Sequence, residues 1–134
     1  AGIAVLQTML EQNLPEQVKE KGSRLLQALQ QQFAEHPNVG DVRGRGLFLG
    51  IELVQDKQTK EPLNPNFNLP EQIRHTAMQH GLLCYPMGGT IDGRRGHHVL
   101  LAPPFIINDA ELELIVERLS STLNAILPAL DQAA

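Results

Sequence analysis

The chain has 134 residues, 42 % of them apolar, and a formal charge of −4 at neutral pH. That is long enough for one domain with a real core, too apolar for a disordered segment, and too acidic for a nucleic-acid footprint. No apolar run nears the roughly 20 residues that span a bilayer, the opening Ala1-Gly2-Ile3-Ala4 lacks a basic signal-peptide region, and a lone cysteine, Cys84, excludes an internal disulfide framework and fits a reducing cytosol.

The absence of an initial Met reads as a cut or processed chain. Residues 3–12 read as a short helix with Val5, Leu6, Met9 and Leu10 on one side. A second helix starts at Asn13-Leu14-Pro15, because a proline in the first helical turn gives up an N–H that has no partner there. It runs to about His36 with Val18, Leu25, Leu26, Leu29 and Phe33 as its apolar stripe. Gly22 should weaken it by about 1 kcal/mol relative to alanine.

Residues 39–45 and 47–54 read as two strands around Gly44-Arg45-Gly46. In the second, Leu47, Leu49, Ile51 and Leu53 share a face, since strand side chains alternate, and that face should pack on helices. Gly50 is expected to allow close packing. Asp41, Arg43 and Arg45 share a face of the first strand and form either a surface ion pair or an interdomain or intersubunit contact.

A polar loop over 55–67 leads to Asn68-Leu69-Pro70-Glu71, a second start of the same kind, and a helix to His80 with Gly81 at its C-cap. Residues 82–85 read as a short buried strand, 86–96 as a Gly-rich loop and 99–102 as another strand ended by Pro103-Pro104. Asn108 and Glu111 have capping-box spacing, and Leu112, Ile115, Val116, Leu119, Leu123 and Ile126 give the last helix a continuous stripe. The order α-α-β-β-α-β-β-α predicts an α+β fold, a small, mostly antiparallel sheet with helices packed on one face, in a single domain over residues 1–134.

Few residues offer chemistry. The glycines at 44, 46 and 50 have the wrong spacing for a dinucleotide loop and precede a strand rather than a helix. His97 and His98 should point to opposite faces of a strand, and His75 and His80 are five apart on a helix, so no metal set forms. Cys84 reads as a small buried hydrophobe. Arg94 and Arg95 stand apart: they lie between Gly93 and Gly96 in a long loop. They are either a solvated charged loop or a movable grip for a carboxylate, which arginine binds through a planar two-pronged fork.

Two segments carry a resemblance. Val42-Arg43-Gly44-Arg45-Gly46-Leu47 through Gly50-Ile51-Glu52-Leu53 is one; Ala102-Pro103-Pro104-Phe105 followed by the Asn108 cap is the other, with Gly81-Leu82-Leu83 between them. In this order they resemble the C-terminal small domain of class III, ω-amino acid/pyruvate-like aminotransferases, enzymes of pyridoxal phosphate (PLP) fold type I. The resemblance implies an enzyme that moves an amino group from an ω-amino acid or amine to a keto acid. It implies PLP in the full-length protein, a large PLP-lysine domain absent from this chain, a homodimer and a cytoplasmic setting, with no nucleic-acid or membrane partner. Catalytic and cofactor residues would then lie outside this chain, and none of Lys19, Lys21, Lys57 and Lys60 sits in a matching motif.

The resemblance also bears on the arginines. Many family members carry a substrate-binding Arg on the strand before the Pro-Pro signature; that position here is Leu100. Others use an Arg in the preceding loop, followed by Gly-Asp-His, where this chain has Arg94-Arg95-Gly96-His97-His98. Arg94 or Arg95 is thus the implied substrate-binding residue. The other readings are a free-standing α+β binding or regulatory module, or a PLP isomerase or decarboxylase of the same family.

Overall fold

The computed structural model describes residues 1–130; residues 131–134, counted in the expected domain, lie outside the described residues. Helices α1 (Gly2–Glu11) and α2 (Leu14–Gln32) precede strands β1 (Val39–Arg45) and β2 (Phe48–Leu53); α3 (Leu69–Gln79), β3 (Tyr85–Gly88), β4 (His97–Leu101) and α4 (Asp109–Leu130) follow. The sheet is antiparallel throughout, in the order β1-β2-β4-β3. This is the expected α+β architecture. One sheet face is buried against the helices through Val39, Val42, Leu49, Ile51, Leu53, Val99 and Leu101; Leu25, Leu29, Leu119 and Leu123 meet it from α2 and α4. The other face carries Arg43, Phe48, Gly50, Glu52, His98 and Leu100.

Local chemistry sets the element ends. Asn13 and Asn68 both precede their helices in the left-handed conformation, φ 49° and 47°, with proline as the second helical residue and no side-chain cap bond. The shared Asn-Leu-Pro-Glu signal is therefore backbone geometry, which asparagine tolerates better than most residues. Helix α3 ends in a Schellman turn: Gly81 takes φ 74°, its N–H donates to Met78 O, and the Leu82 N–H donates to Ala77 O at 2.8 Å. Asn108 and Glu111 form the expected reciprocal capping box at α4, each side chain accepting from the other's N–H at 2.9 Å. Asn108→Ala should lower stability by about 1 kcal/mol, read as a lower urea midpoint at unchanged slope; an unaltered midpoint would show that tertiary packing alone holds α4.

Several boundaries differ from the sequence reading. The second helix ends at Gln32, four residues early, with Phe33 as its C-cap. The apolar run 82–85 is not a strand. Leu82 is committed to the Schellman turn and the core, Leu83 is 84 % exposed, and pairing with β4 starts only at Tyr85, opposite Leu100. The strand is Tyr85–Gly88, with Pro86 opposite Val99. It extends β4 back to His97 and shortens the loop to 89–96.

The glycines also divide differently. A Cβ at Gly50 would meet only ordinary contacts, the nearest at 3.6 Å, so close packing is not its role. At Gly44 a Cβ would lie 2.4 Å from the Phe48 carbonyl oxygen. At Gly22 it would lie 2.1 Å from the Gly46 carbonyl oxygen, so helix α2 rests directly on the turn joining β1 and β2. Gly22 is a packing requirement and not a weak point. At the end of β1 away from that turn, a bulge lies between Val39 and Asp41.

Helix α1 forms as expected, but none of its residues is buried. Ile3, Val5, Leu6 and Leu10 are 58–80 % exposed, an apolar stripe without a cover among the described residues.

Candidate functional site: the arginine hairpin

Antiparallel β3 and β4 are joined by residues 89–96, which carry Arg94 and Arg95. The connection is built rather than loose. The Ile91 N–H donates to Arg95 O at 2.9 Å, the Thr90 N–H to Gly96 O at 3.3 Å and the Gly93 N–H to Gly89 O at 3.0 Å. Gly89, Gly93 and Gly96 take φ of 74°, 84° and 90°, backbone that other residues adopt only at a cost. A Cβ at Gly96 would lie 2.7 Å from both Thr90 Oγ1 and Ile91 Cγ1. These glycines shape the tip of a continuing hairpin.

Asp92 holds that tip. Its Oδ1 accepts from the Arg94 N–H at 3.0 Å and the Arg95 N–H at 2.7 Å, and its Oδ2 accepts from Arg95 Nε at 2.8 Å. Hydrogen bonds from the Arg95 backbone, then its side chain, and from the Arg94 backbone hold the Asp92 carboxyl down to about 2. Because this pKa is depressed, the brace is complete above the ordinary carboxylate range and is lost only as pH falls toward 2.

The two arginines are therefore not equivalent. Both are exposed, but Arg95 is committed to Asp92, whereas the Arg94 guanidinium meets no partner among the described residues. Asp92 was not singled out from the sequence. The signal for it was present, since Asp92-Gly93 between apolar segments is a tight-turn pair.

At the base of the hairpin, His97 occupies the position where the resembling loop pattern has Asp. It is buried on the helix side with its Nδ1 unpaired, and burial lowers its pKa, which favours the neutral ring. His98 points to the opposite face, as alternation requires. Its pKa is lowered by burial first, then by Arg43 nearby. Leu100, at the strand-Arg position, lies between Tyr85 and Gly50 in the sheet register, so β4 offers no cation there. The outer face instead carries two cations on β1, Arg43 and Arg45; Arg43 is paired with Asp41 at 2.8 Å and Glu52 at 3.0 Å, which raise its pKa. Arg43 is thus neutralised.

Cys84 is half-buried, and burial pushes its thiol up to about 11, which leaves it a poor nucleophile at neutral pH. Among the described residues, no three His, Cys, Asp or Glu come together as a metal set, and no helix is long and apolar enough to cross a membrane. The four lysines are spread over α2 and the 55–67 loop, each engaged locally. Lys19 meets Glu16, Lys21 the Phe105 carbonyl, Lys57 the Phe33 and Ala34 carbonyls, and Lys60 the Gly40 carbonyl. Each ammonium is thus already engaged by a carboxylate or a backbone carbonyl, which does not fit the Schiff-base role that PLP requires.

Comparison with known proteins shows the family. The sequence profile of the family described as aminotransferase class-III matches residues 1–123. An uncharacterized aminotransferase of Schizosaccharomyces pombe, C1771.03c, is 44 % identical over 97 % of this chain and 28 % of its own length. A taurine–pyruvate aminotransferase of Bilophila wadsworthia is 36 % identical over 87 % of the chain and 25 % of its own length. The crystal structure of a Bacillus anthracis aminotransferase superposes with a TM-score of 0.83 at 35 % identity, over 92 % of this chain and 27 % of that one. The chain thus spans about a quarter of the length of the relatives it matches.

Proposed function

The chain belongs to the class III aminotransferases, and on that premise we propose that it is the C-terminal, substrate-contacting domain of a longer PLP-dependent transaminase. The parent enzyme moves an amino group from an ω-amino acid or amine to a keto acid. The observation that carries the substrate reading is the unpartnered guanidinium of Arg94 at the tip of a braced hairpin. A planar cation with open donors in an exposed position is suited to a carboxylate. A relative named for taurine and pyruvate supports an ω-amino donor and a keto-acid acceptor.

PLP, when bound, supplies the electron sink for the chemistry at the donor carbon. In this proposal the large domain of the same polypeptide holds it, and this chain binds and orients substrate. The uncovered stripe of Ile3, Val5, Leu6 and Leu10 supports such a neighbour, because an apolar face of this kind is covered in a complete protein. A homodimer and a cytoplasmic setting complete the proposal.

The test is turnover by the full-length protein. With PLP it should consume pyruvate and an ω-amine in equal amounts, yielding alanine and the aldehyde or ketone. Conversion of the amine without consumption of a keto acid would replace transamination by isomerisation or decarboxylation. The chain alone should form no saturable covalent adduct with PLP by absorbance titration, since its lysines lack the partners of a cofactor site. A stoichiometric adduct abolished by changing one particular lysine would assign the cofactor site to this chain.

A further inference from the structure

We infer that Asp92 is a positioning residue for substrate carboxylate recognition, and that Arg95 is its brace and not a second grip. The inference rests on the reading of Arg94 given above and deepens it. Among the described residues, Asp92 is the side chain that ties the hairpin tip together: a single carboxylate takes two consecutive backbone N–H groups and a guanidinium, at 2.7–3.0 Å. Two consequences follow from that geometry. The turn that carries Arg94 is fixed from within by the neighbouring backbone N–H groups. The carboxylate nearest in sequence to Arg94 is also occupied by Arg95, and so cannot quench the Arg94 guanidinium.

The second point decides between the two arginines. An arginine already paired with an aspartate must break that pair before gripping a substrate, whereas an open one need not. Gly93 permits the arrangement, since its φ of 84° turns the chain between Asp92 and Arg94, and a Cβ there would meet nothing within 4 Å. Within the loop, Arg94 is held by its backbone only, and its side chain remains free to swing toward a carboxylate or away from an uncharged donor.

The test compares Asp92→Ala, Asp92→Asn, Arg95→Ala, Arg94→Ala and the Asp92→Ala/Arg94→Ala double variant in the full-length enzyme. Pyruvate serves as the acceptor and an amine without a carboxylate as the donor. Asp92→Ala should raise KM for pyruvate about 5–10-fold, with kcat and the amine KM within about twofold, as expected when one charge-assisted contact is mispositioned rather than removed. Asp92→Asn keeps an acceptor for the backbone N–H groups and should fall between. Arg95→Ala should cost about threefold or less, since the backbone bonds to Asp92 remain. In the Arg94→Ala background, Asp92→Ala should add nothing, because two residues acting as a unit are not additive.

Hydrogen exchange of the 89–96 segment supplies a readout independent of turnover, and Asp92→Ala should lose protection there alone. An additive double variant, or a uniform loss of kcat for all substrates, would make Asp92 merely structural and overturn the inference. If Arg94→Ala leaves the pyruvate KM unchanged while Asp92→Ala still loosens the segment, the brace exists but the carboxylate reading fails, and the inference with it. If Arg94→Ala raises the pyruvate KM and Asp92→Ala does not, the carboxylate reading survives and only the role of Asp92 is lost.

Discussion

Replacing Gly22 by alanine is expected to destabilise the protein by about 3 kcal/mol, the size of a severe overpacking defect. In an ordinary helix the same change gains about 1 kcal/mol, because glycine is the weaker helix former. Here the added methyl would sit 2.1 Å from the Gly46 carbonyl oxygen and 2.3 Å from its carbon. Those atoms belong to backbone, and Gly46 is itself at φ 57° with Val18 close by, so the turn has little room to yield. Helix α2 must lift from the β1–β2 hairpin, loosening Leu25 and Leu29 in the core. A fall in urea midpoint without a change in slope would express this. An equal or higher midpoint would mean that the helix and hairpin can separate at no cost.

The second large effect concerns Arg94. In the full-length enzyme, Arg94→Ala should raise KM for the keto acid about 10- to 150-fold, which corresponds to losing one charge-assisted contact of roughly 1.5–3 kcal/mol. KM for an uncharged amine should stay within about twofold, since that substrate has no carboxylate to lose. Arg94→Lys keeps the charge but not the fork, and should recover part of the loss. Equal losses for both substrates would make the hairpin a structural element, and no loss for either would place carboxylate recognition elsewhere in the enzyme.

The fold was legible because its signals are local. Alternation of Leu47, Leu49, Ile51 and Leu53, the Asn68 start, the Gly81 stop and the Asn108–Glu111 box each depend on neighbours within a few residues. The misreadings share another cause. Leu82 to Tyr85 is apolar enough for a strand, yet the Leu82 N–H is spent closing helix α3, so pairing begins only at Tyr85. The role of Gly22 depends on a turn 24 residues away, which no helix propensity can report. At the site, the flanking glycines and the family resemblance singled out the arginine pair as an expectation but could not divide it. The division comes from which guanidinium Asp92 reaches, a matter of hairpin geometry.

Both outermost strands are shut against a newcomer. On one side, β1 is broken by its bulge and bears Asp41, Arg43 and Arg45, so an incoming backbone would face an interrupted ladder and a row of charges. On the other, β3 is four residues long and Pro86 has no N–H to offer. A fifth strand finds no template on either flank, which protects the chain from fibrous assembly of the cross-β kind. Any self-association of the separated chain should proceed through the greasy side of α1 and leave the strand content unaltered.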